Sequence, residues 1–123
     1  MLQVDFASPV PVYDQIKAGL KGLVAKGQLR PGDEAPSIRG LATTLKVNPN
    51  TVARAFRELA LEGFLDTRRG GQSVIADRAM KVAEGGLGQA RADFADAARR
   101  ARRAGLVWNQ LETLVRELRR EEP

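Results

Sequence analysis

The sequence has 123 residues and contains neither cysteine nor histidine. Without cysteine there can be no disulfide framework, no thiol nucleophile and no thiolate zinc site. Without histidine, the commonest general base and the commonest metal ligand are missing, which excludes a Ser-His-Asp triad and a Cys/His zinc finger. A phosphate-binding loop, a paired-carboxylate motif and a nucleophile elbow are also missing. These absences argue against an enzyme, and we expect no metal and no cofactor.

Long apolar runs are missing as well. No stretch approaches the roughly 20 residues that a membrane-spanning helix needs. The first twenty residues include Asp5 and Asp14 and show no basic segment followed by an apolar one, so no signal peptide is evident. We therefore expect a soluble cytoplasmic protein with no membrane partner.

The composition is that of a folded, basic protein. Apolar residues make up 43% of the chain and charged residues 28%, which allows a buried core. Lys and Arg number 20 against 15 Asp and Glu, a net charge of +5. This excess suits an anionic partner without identifying it. The length allows one compact domain with an appendage, or two very small units.

Three short helices are predicted in the first half of the chain. Apolar residues recur every three or four positions within residues 12–24, 38–45 and 52–59. Ser37 and Asn48 are of the residue types that cap helix N-termini, and each precedes one of the later two stretches.

A β-hairpin is predicted after the third helix. Two β-capable runs, residues 64–68 and 73–75, flank Gly70 and Gly71. Two helices joined by a tight turn with a hairpin behind them make a winged helix-turn-helix. We assign it to residues 1–76.

The remaining residues, 77–123, have a different pattern. Gly85, Gly86 and Gly88 form a hinge-like patch, and two amphipathic helices are expected, one from about Leu87 and one after Gly105. The predicted fold is therefore mainly α with a small β-hairpin, and ends in an antiparallel two-helix tail. The tail is too small to be stable alone, so its apolar stripes need the N-terminal unit or a second copy of the chain. The candidate dimerisation residues are Leu87, Phe94, Ala98, Ala101, Trp108, Leu111, Leu114, Val115 and Leu118.

Two features of the tail leave alternatives open. The arginines at 99, 100, 102 and 103 lie opposite the apolar stripe. They could bind DNA or an acidic membrane surface, or form an ordinary solvated face. Trp108 belongs to a core or a dimer interface, or it stacks on a ligand.

The third helix has the residues expected of a DNA-recognition helix. It starts with short polar side chains, among them Asn48, Asn50 and Thr51, at the end where backbone N–H groups and the helix dipole favour a phosphate or a base edge. Asn can bond adenine bidentately, and a Thr methyl can contact a thymine methyl. Arg54 and Arg57 lie on the same outer face.

The hairpin tip and the second helix supply further basic groups. Arginines suit a narrow, negative minor groove, and glycines let backbone approach DNA closely. Taken singly, each residue is also consistent with a cap, a turn or a solvated charge; the combination points to DNA. The full candidate DNA-binding set is Arg39, Asn48, Asn50, Thr51, Arg54, Arg57, Arg68, Arg69, Gly70 and Gly71.

The segment from Pro11 to Val74 carries a series of short motifs at close spacing. They are PVYDQI, LRPG, PSIRGLA, NPNTV and GFLDTRRGGQSV. This segment covers about half of the chain, and its motifs resemble those of the DNA-binding domain of GntR-family bacterial transcription regulators. NPNTV and the short helical tail are similar to the YtrA-like branch, which lacks the larger ligand-binding domains of its relatives and whose tail serves dimerisation.

The resemblance implies DNA contacts at the start of the second helix, at the start of the recognition helix and at the wing tip. The matching positions are Arg39, Asn48, Asn50, Thr51, Arg69 and Gly70. Many relatives carry arginine at the positions of Pro49 and Ala53, so direct base readout there is lost and Arg54 can compensate.

The favoured function is a homodimeric transcription regulator, most simply a repressor, on a palindromic DNA operator. The resemblance also implies control of a nearby operon, often one encoding an ABC-type transporter. A small-molecule effector, whose identity is unknown, could bind at the dimer interface or between tail and head. The alternative is a winged-helix protein-interaction or adaptor module, which would expose apolar groups on the outer face of the third helix.

Overall fold

The computed structural model describes residues 2–68 and 70–121. Within them the chain is mostly helical, with five α-helices and one two-stranded antiparallel sheet. It divides into two compact units, the first ending at Gly86 and the second beginning at Leu87. The elements are α1 (Val12–Ala25), α2 (Ile38–Leu45), α3 (Pro49–Leu61), β1 (Leu65–Thr67), β2 (Ser73–Ile75), α4 (Ala79–Ala104) and α5 (Trp108–Glu121). None of the helices in the described ranges is both long enough and apolar enough to cross a membrane.

The predicted helix boundaries of α2 and α3 are confirmed by their caps. The Ser37 hydroxyl accepts a hydrogen bond from the backbone N–H of Gly40 at 3.0 Å, and Asn48 Oδ1 accepts one from the N–H of Asn50 at 2.8 Å. Between the two helices, Lys46 adopts a left-handed conformation (φ 59°), which makes the connection short. Gly63, at φ 83°, follows the end of α3 as predicted.

The core of the first unit lies between α1, α3 and the hairpin. Ile16, Leu20 and Val24 line one face of α1, and all three are fully buried. They share one cluster with the inward residues of α3 and with Phe64, which is also fully buried. Burying each such side chain contributes roughly 1.5–3 kcal/mol, so this cluster fixes how α3 is presented to solvent.

The hairpin is confirmed, and a further segment extends it. Leu65 pairs with Ile75 and Thr67 with Ser73 in the antiparallel register. Glu34 forms an isolated bridge to Val74 on the outer edge of β2. The sequence pattern predicts only a turn just before Glu34, because one bridging residue leaves no alternation to detect.

The prediction that the tail helix begins near Leu87 is wrong. Helix α4 begins eight residues earlier, at Ala79, and continues through the glycines at 85, 86 and 88. Ala79 and Ala83 are buried in the core of the first unit, and this packing outweighs the low helix propensity of the glycines. Gly105, at φ 116°, ends α4 as expected. The division at residue 76/77 into a DNA-binding domain and a dimerisation tail stays a prediction.

Candidate nucleic-acid interface

The N-terminal end of α3 presents short polar side chains to solvent. Asn48 and Asn50 are exposed, and Thr51 is partly buried. Asn48 Oδ1 accepts the cap hydrogen bond, which holds the side chain in place, and the amide nitrogen of Asn48 is left to donate to a ligand. The side chain of Asn50 is exposed and makes no hydrogen bond within residues 2–68 and 70–121, so its oxygen and its nitrogen can both meet a base edge.

Two arginines lie on the outer face of α3. Viewed along the helix axis, they lie on either side of the direction in which Asn50 points. The helical spacing places Arg54 and Arg57 opposite the buried residues Val52 and Leu59. Both arginines are exposed. In the last turn of α3 this face presents an apolar side chain, Leu61, which is 88% exposed.

A groove of about 560 Å³ separates α3 from the hairpin. Arg57 lines it from α3, Ile38 from α2, and Thr67 and Gly71 from the hairpin. The groove thus brings together the three elements that carry predicted DNA contacts. Arg39 is exposed and follows Ile38 in the first turn of α2.

The turn between β1 and β2 forms the tip of the wing. The N–H of Arg68 donates to the carbonyl of Gln72 at 2.7 Å, and the N–H of Gly71 donates to the carbonyl of Arg68 at 3.1 Å. Gly70 and Gly71 both have left-handed φ values, 88° and 81°, which favour glycine. Arg68 is exposed, whereas Arg69 lies outside the described residues.

Arg54 is held by two neighbours. Its guanidinium lies 3.7 Å from the centre of the Tyr13 ring on α1, and its Nε donates to Glu58 Oε2 at 3.2 Å. Sequence reasoning missed both neighbours. The i, i+4 spacing of Arg54 and Glu58 could have indicated the ion pair, but no sequence signal relates Tyr13 to Arg54.

An ion-pair network joins α1 to α3 behind this arginine. Lys17 Nζ lies 3.1 Å from Glu58 and 2.9 Å from Glu62, and Lys21 Nζ lies 2.7 Å from Glu62. The hydrogen bond to Glu62 is the main cause that raises the pKa of Lys17. Burial opposes it, and the bond to Glu58 adds to the rise. The bond from Lys17 is the main cause that lowers the pKa of Glu58. At Glu62, burial opposes ionisation, but bonds from Lys21 and Lys17 together still lower the pKa.

The second unit exposes a separate apolar groove of about 700 Å³. No side chain of α5, which is described throughout Trp108–Glu121, is buried. At the turn between α4 and α5, Arg102 lies 4.8 Å from the Trp108 ring centre and donates to the carbonyl of Leu106 at 3.2 Å. All the predicted dimerisation residues except Leu87 line this groove, namely Phe94, Ala98, Ala101, Trp108, Leu111, Leu114, Val115 and Leu118.

The geometry of α2, α3 and the hairpin is that of a winged helix, and the family model described as "Bacterial regulatory proteins, gntR family" matches residues 12–75. The chain belongs to this family. It is a GntR-family transcription regulator with a winged-helix DNA-binding domain, and not an enzyme. The predicted resemblance is confirmed.

Relatives extend the match over almost the whole chain. The HTH-type transcriptional repressor YtrA of Bacillus subtilis (strain 168) is 36% identical over 119 residues, which are 96% of this chain and 92% of the relative. The solved structure of YtrA from Sulfolobus acidocaldarius, a GntR-family transcription factor, has a TM-score of 0.59 and 41% identity. That match covers 61% of this chain and 79% of the other.

A further solved structure contains DNA. It is the DNA-binding domain of AraR in complex with operator ORX1, with a TM-score of 0.56 and 26% identity. The match covers 61% of this chain and 96% of the AraR chain. The fold of this chain is therefore shared with a DNA-binding domain whose structure contains its operator.

Proposed function

We propose that this regulator is a cytoplasmic homodimer that represses transcription by binding a palindromic DNA operator. The observation that carries the proposal is the exposed polar start of α3 beside a wing whose tip is basic and glycine-rich. DNA offers both the base edges that short polar side chains can bond and the phosphates that basic groups can bond.

In the proposed complex, α3 enters the major groove with its N-terminal turn against base edges. Asn50 and Thr51 supply short polar contacts there, and Arg54 and Arg57 reach the groove from the next two turns of the helix. The wing places Arg68 and the Gly70–Gly71 backbone, together with Arg69, against the minor groove. Contacts from Arg39, Lys46, Arg57 and Arg68 to phosphates would give the binding a strong salt dependence.

The groove of the second unit supports the homodimer. Phe94, Trp108 and Leu118 are each more than half exposed, at 63%, 60% and 56%. Apolar side chains gathered in one groove mark an association surface, and C2 self-association is the commonest way to cover one. Two recognition helices of a dimer would meet half-sites about 34 Å, or one helical turn, apart.

The DNA-binding residues are tested by alanine substitution. Asn50→Ala is expected to weaken binding to the operator by about fivefold or more, since a good base contact is worth about 1–3 kcal/mol. Arg39→Ala removes a phosphate contact and is expected to weaken binding and to reduce its salt dependence. Arg91→Ala, at an exposed arginine of the second unit that carries no predicted DNA contact, is the matched control. Unchanged operator binding by both Asn50→Ala and Arg39→Ala contradicts the assignment.

The dimer is tested by sedimentation equilibrium. The wild-type chain is expected to sediment with about twice its monomer mass of 13.4 kDa. Val115→Glu places a charge in the groove and is expected to give monomers, because an unpaired buried charge is strongly unfavourable. Glu117→Gln, on the same helix but outside the groove lining, is the control. A monomeric wild type at micromolar concentration argues against the homodimer.

We also propose that the regulator controls a nearby operon encoding an ABC-type transporter, as the family resemblance implies. Sequencing the genomic DNA fragments that bind to the purified protein will identify the operon.

The exposed Leu61 favours a second candidate function. An apolar residue on the outer face of α3 is what a protein-interaction module would present, although it occupies only the last turn of the helix. Such a module would show no preference for any DNA sequence over bulk DNA in a salt titration.

A further inference from the structure

Arg54 and Arg57 are the two cations on the outer face of α3. Within the described residues, only the guanidinium of Arg54 is contacted from two sides, by an aromatic ring and by a carboxylate. The face of the Tyr13 ring lies 3.7 Å from Cζ, and the Glu58 carboxylate accepts from Nε at 3.2 Å. The other oxygen of that carboxylate is bonded to Lys17 Nζ at 3.1 Å. Glu58 is thereby itself fixed between two cations, one on each side.

This arrangement limits the conformations open to a side chain that is normally flexible. Arginine loses rotamer freedom when it is ordered, and a side chain that is already ordered in the free protein does not lose it again on binding. The guanidinium is planar, so stacking on the ring fixes its plane, and the bond to Glu58 fixes its direction within that plane.

The contacts leave the outer edge of the guanidinium available. Within the described residues, Arg54 donates a hydrogen bond only from Nε, and its side chain is 54% exposed. The two Nη groups form the fork that bonds guanine O6 and N7 side by side, the commonest specific arginine contact in the major groove. Arg57 differs, because its guanidinium forms neither an ion pair nor a ring contact with any described residue.

We propose that Tyr13 and Glu58 are positioning residues that hold Arg54 ready to read one guanine in each half-site. The proposal rests on the proposed function, sequence-specific DNA binding. It assigns part of the base specificity to α1, a helix that carries none of the predicted DNA contacts. Tyr13 acts through Arg54 and needs no contact with the DNA.

The experiment selects bound sequences from randomised double-stranded DNA with the full chain and its variants. Arg54→Ala is expected to abolish the preference for one G·C pair per half-site, a change of about tenfold at that position. Tyr13→Leu and Glu58→Gln are each expected to weaken the same preference several-fold and to leave preferences at the other positions unchanged. Tyr13→Phe keeps the ring and is expected to retain the wild-type preference.

Two comparisons separate positioning from general destabilisation. Lys21→Gln removes a neighbouring ion pair between α1 and α3 that does not contact Arg54, and it is expected to leave the base preferences unchanged. In an Arg54→Ala background, Tyr13→Leu is expected to have no further effect on the preferences. If Tyr13→Leu fails to fold, the inference is tested with Glu58→Gln and Arg54→Lys. Arg54→Lys is expected to lose the preference for the G·C pair, because lysine lacks the planar fork of arginine.

The outcomes distinguish this inference from the proposed function. A wild type that binds all sequences alike contradicts both. A wild type with clear preferences, of which Arg54→Ala changes none, overturns the inference and leaves the proposed function standing. The inference is equally overturned if Arg54→Ala removes one preference while Tyr13→Leu and Glu58→Gln both retain it.

Discussion

Replacing the glycines in the middle of α4 by alanine tests whether this helix is continuous. A Cβ added at Gly85, Gly86 or Gly88 would meet no other atom within 4 Å outside the neighbouring helix backbone. None of the three has a positive φ. Alanine is the better helix former by about 0.8–1 kcal/mol per residue. Gly86→Ala is therefore expected to raise the free energy of unfolding by about 1 kcal/mol, and the triple variant by up to about 3 kcal/mol.

The assay is urea and thermal unfolding followed by circular dichroism at one fixed protein concentration, since association shifts the midpoint. A gain of 1 kcal/mol corresponds to a rise in Tm of about 4 °C for a chain of this size. Gly70→Ala is the matched control, because the space around Gly70 is also open but its φ is 88°. It is expected to lower stability by about 1 kcal/mol. A neutral or destabilising Gly86→Ala would refute the continuous helix.

Three further predictions concern stability. Asn48→Ala removes the cap of α3 and is expected to lower the free energy of unfolding by about 1 kcal/mol in urea titrations, while Asn48→Ser retains most of it. Because the pKa values of Glu58 and Glu62 are lowered in the folded protein, their stabilisation is present above the ordinary value of 4.5 and is lost as pH falls through the folded values. As the pH is lowered through this range, the free energy of unfolding is expected to fall less for Glu58→Gln than for the wild type, as measured by urea unfolding at each pH. Phe64→Ala is expected to lower stability by about 3–5 kcal/mol in the same urea assay, since Phe64 is fully buried; a loss below 1 kcal/mol would contradict its place in the core.

The winged-helix unit could be predicted because its boundaries depend on local chemistry. Ser37 and Asn48 cap helices through bonds to residues two or three positions away. Gly63 and the Gly70–Gly71 pair occupy left-handed positions that glycine favours. Such signals lie within a few residues of the feature that they determine, so a single sequence contains them.

The features that were missed depend on distant partners. The start of α4 follows from the packing of Ala79 and Ala83 into a core that the local sequence does not display. The contact between Tyr13 and Arg54 joins residues 41 positions apart and arises only once α1 packs on α3. Local spacing carries no information on either contact, since both are set by tertiary packing.

We propose that this protein recognises a specific DNA sequence as a homodimer. The most direct test is a selection of genomic DNA fragments by the purified protein at moderate salt, with sequencing of the retained fragments. We expect the retained fragments to share a palindrome whose half-sites lie about one helical turn apart. Recovery of random fragments, with binding that disappears as salt rises, would contradict it, because the net charge of +5 alone explains such binding.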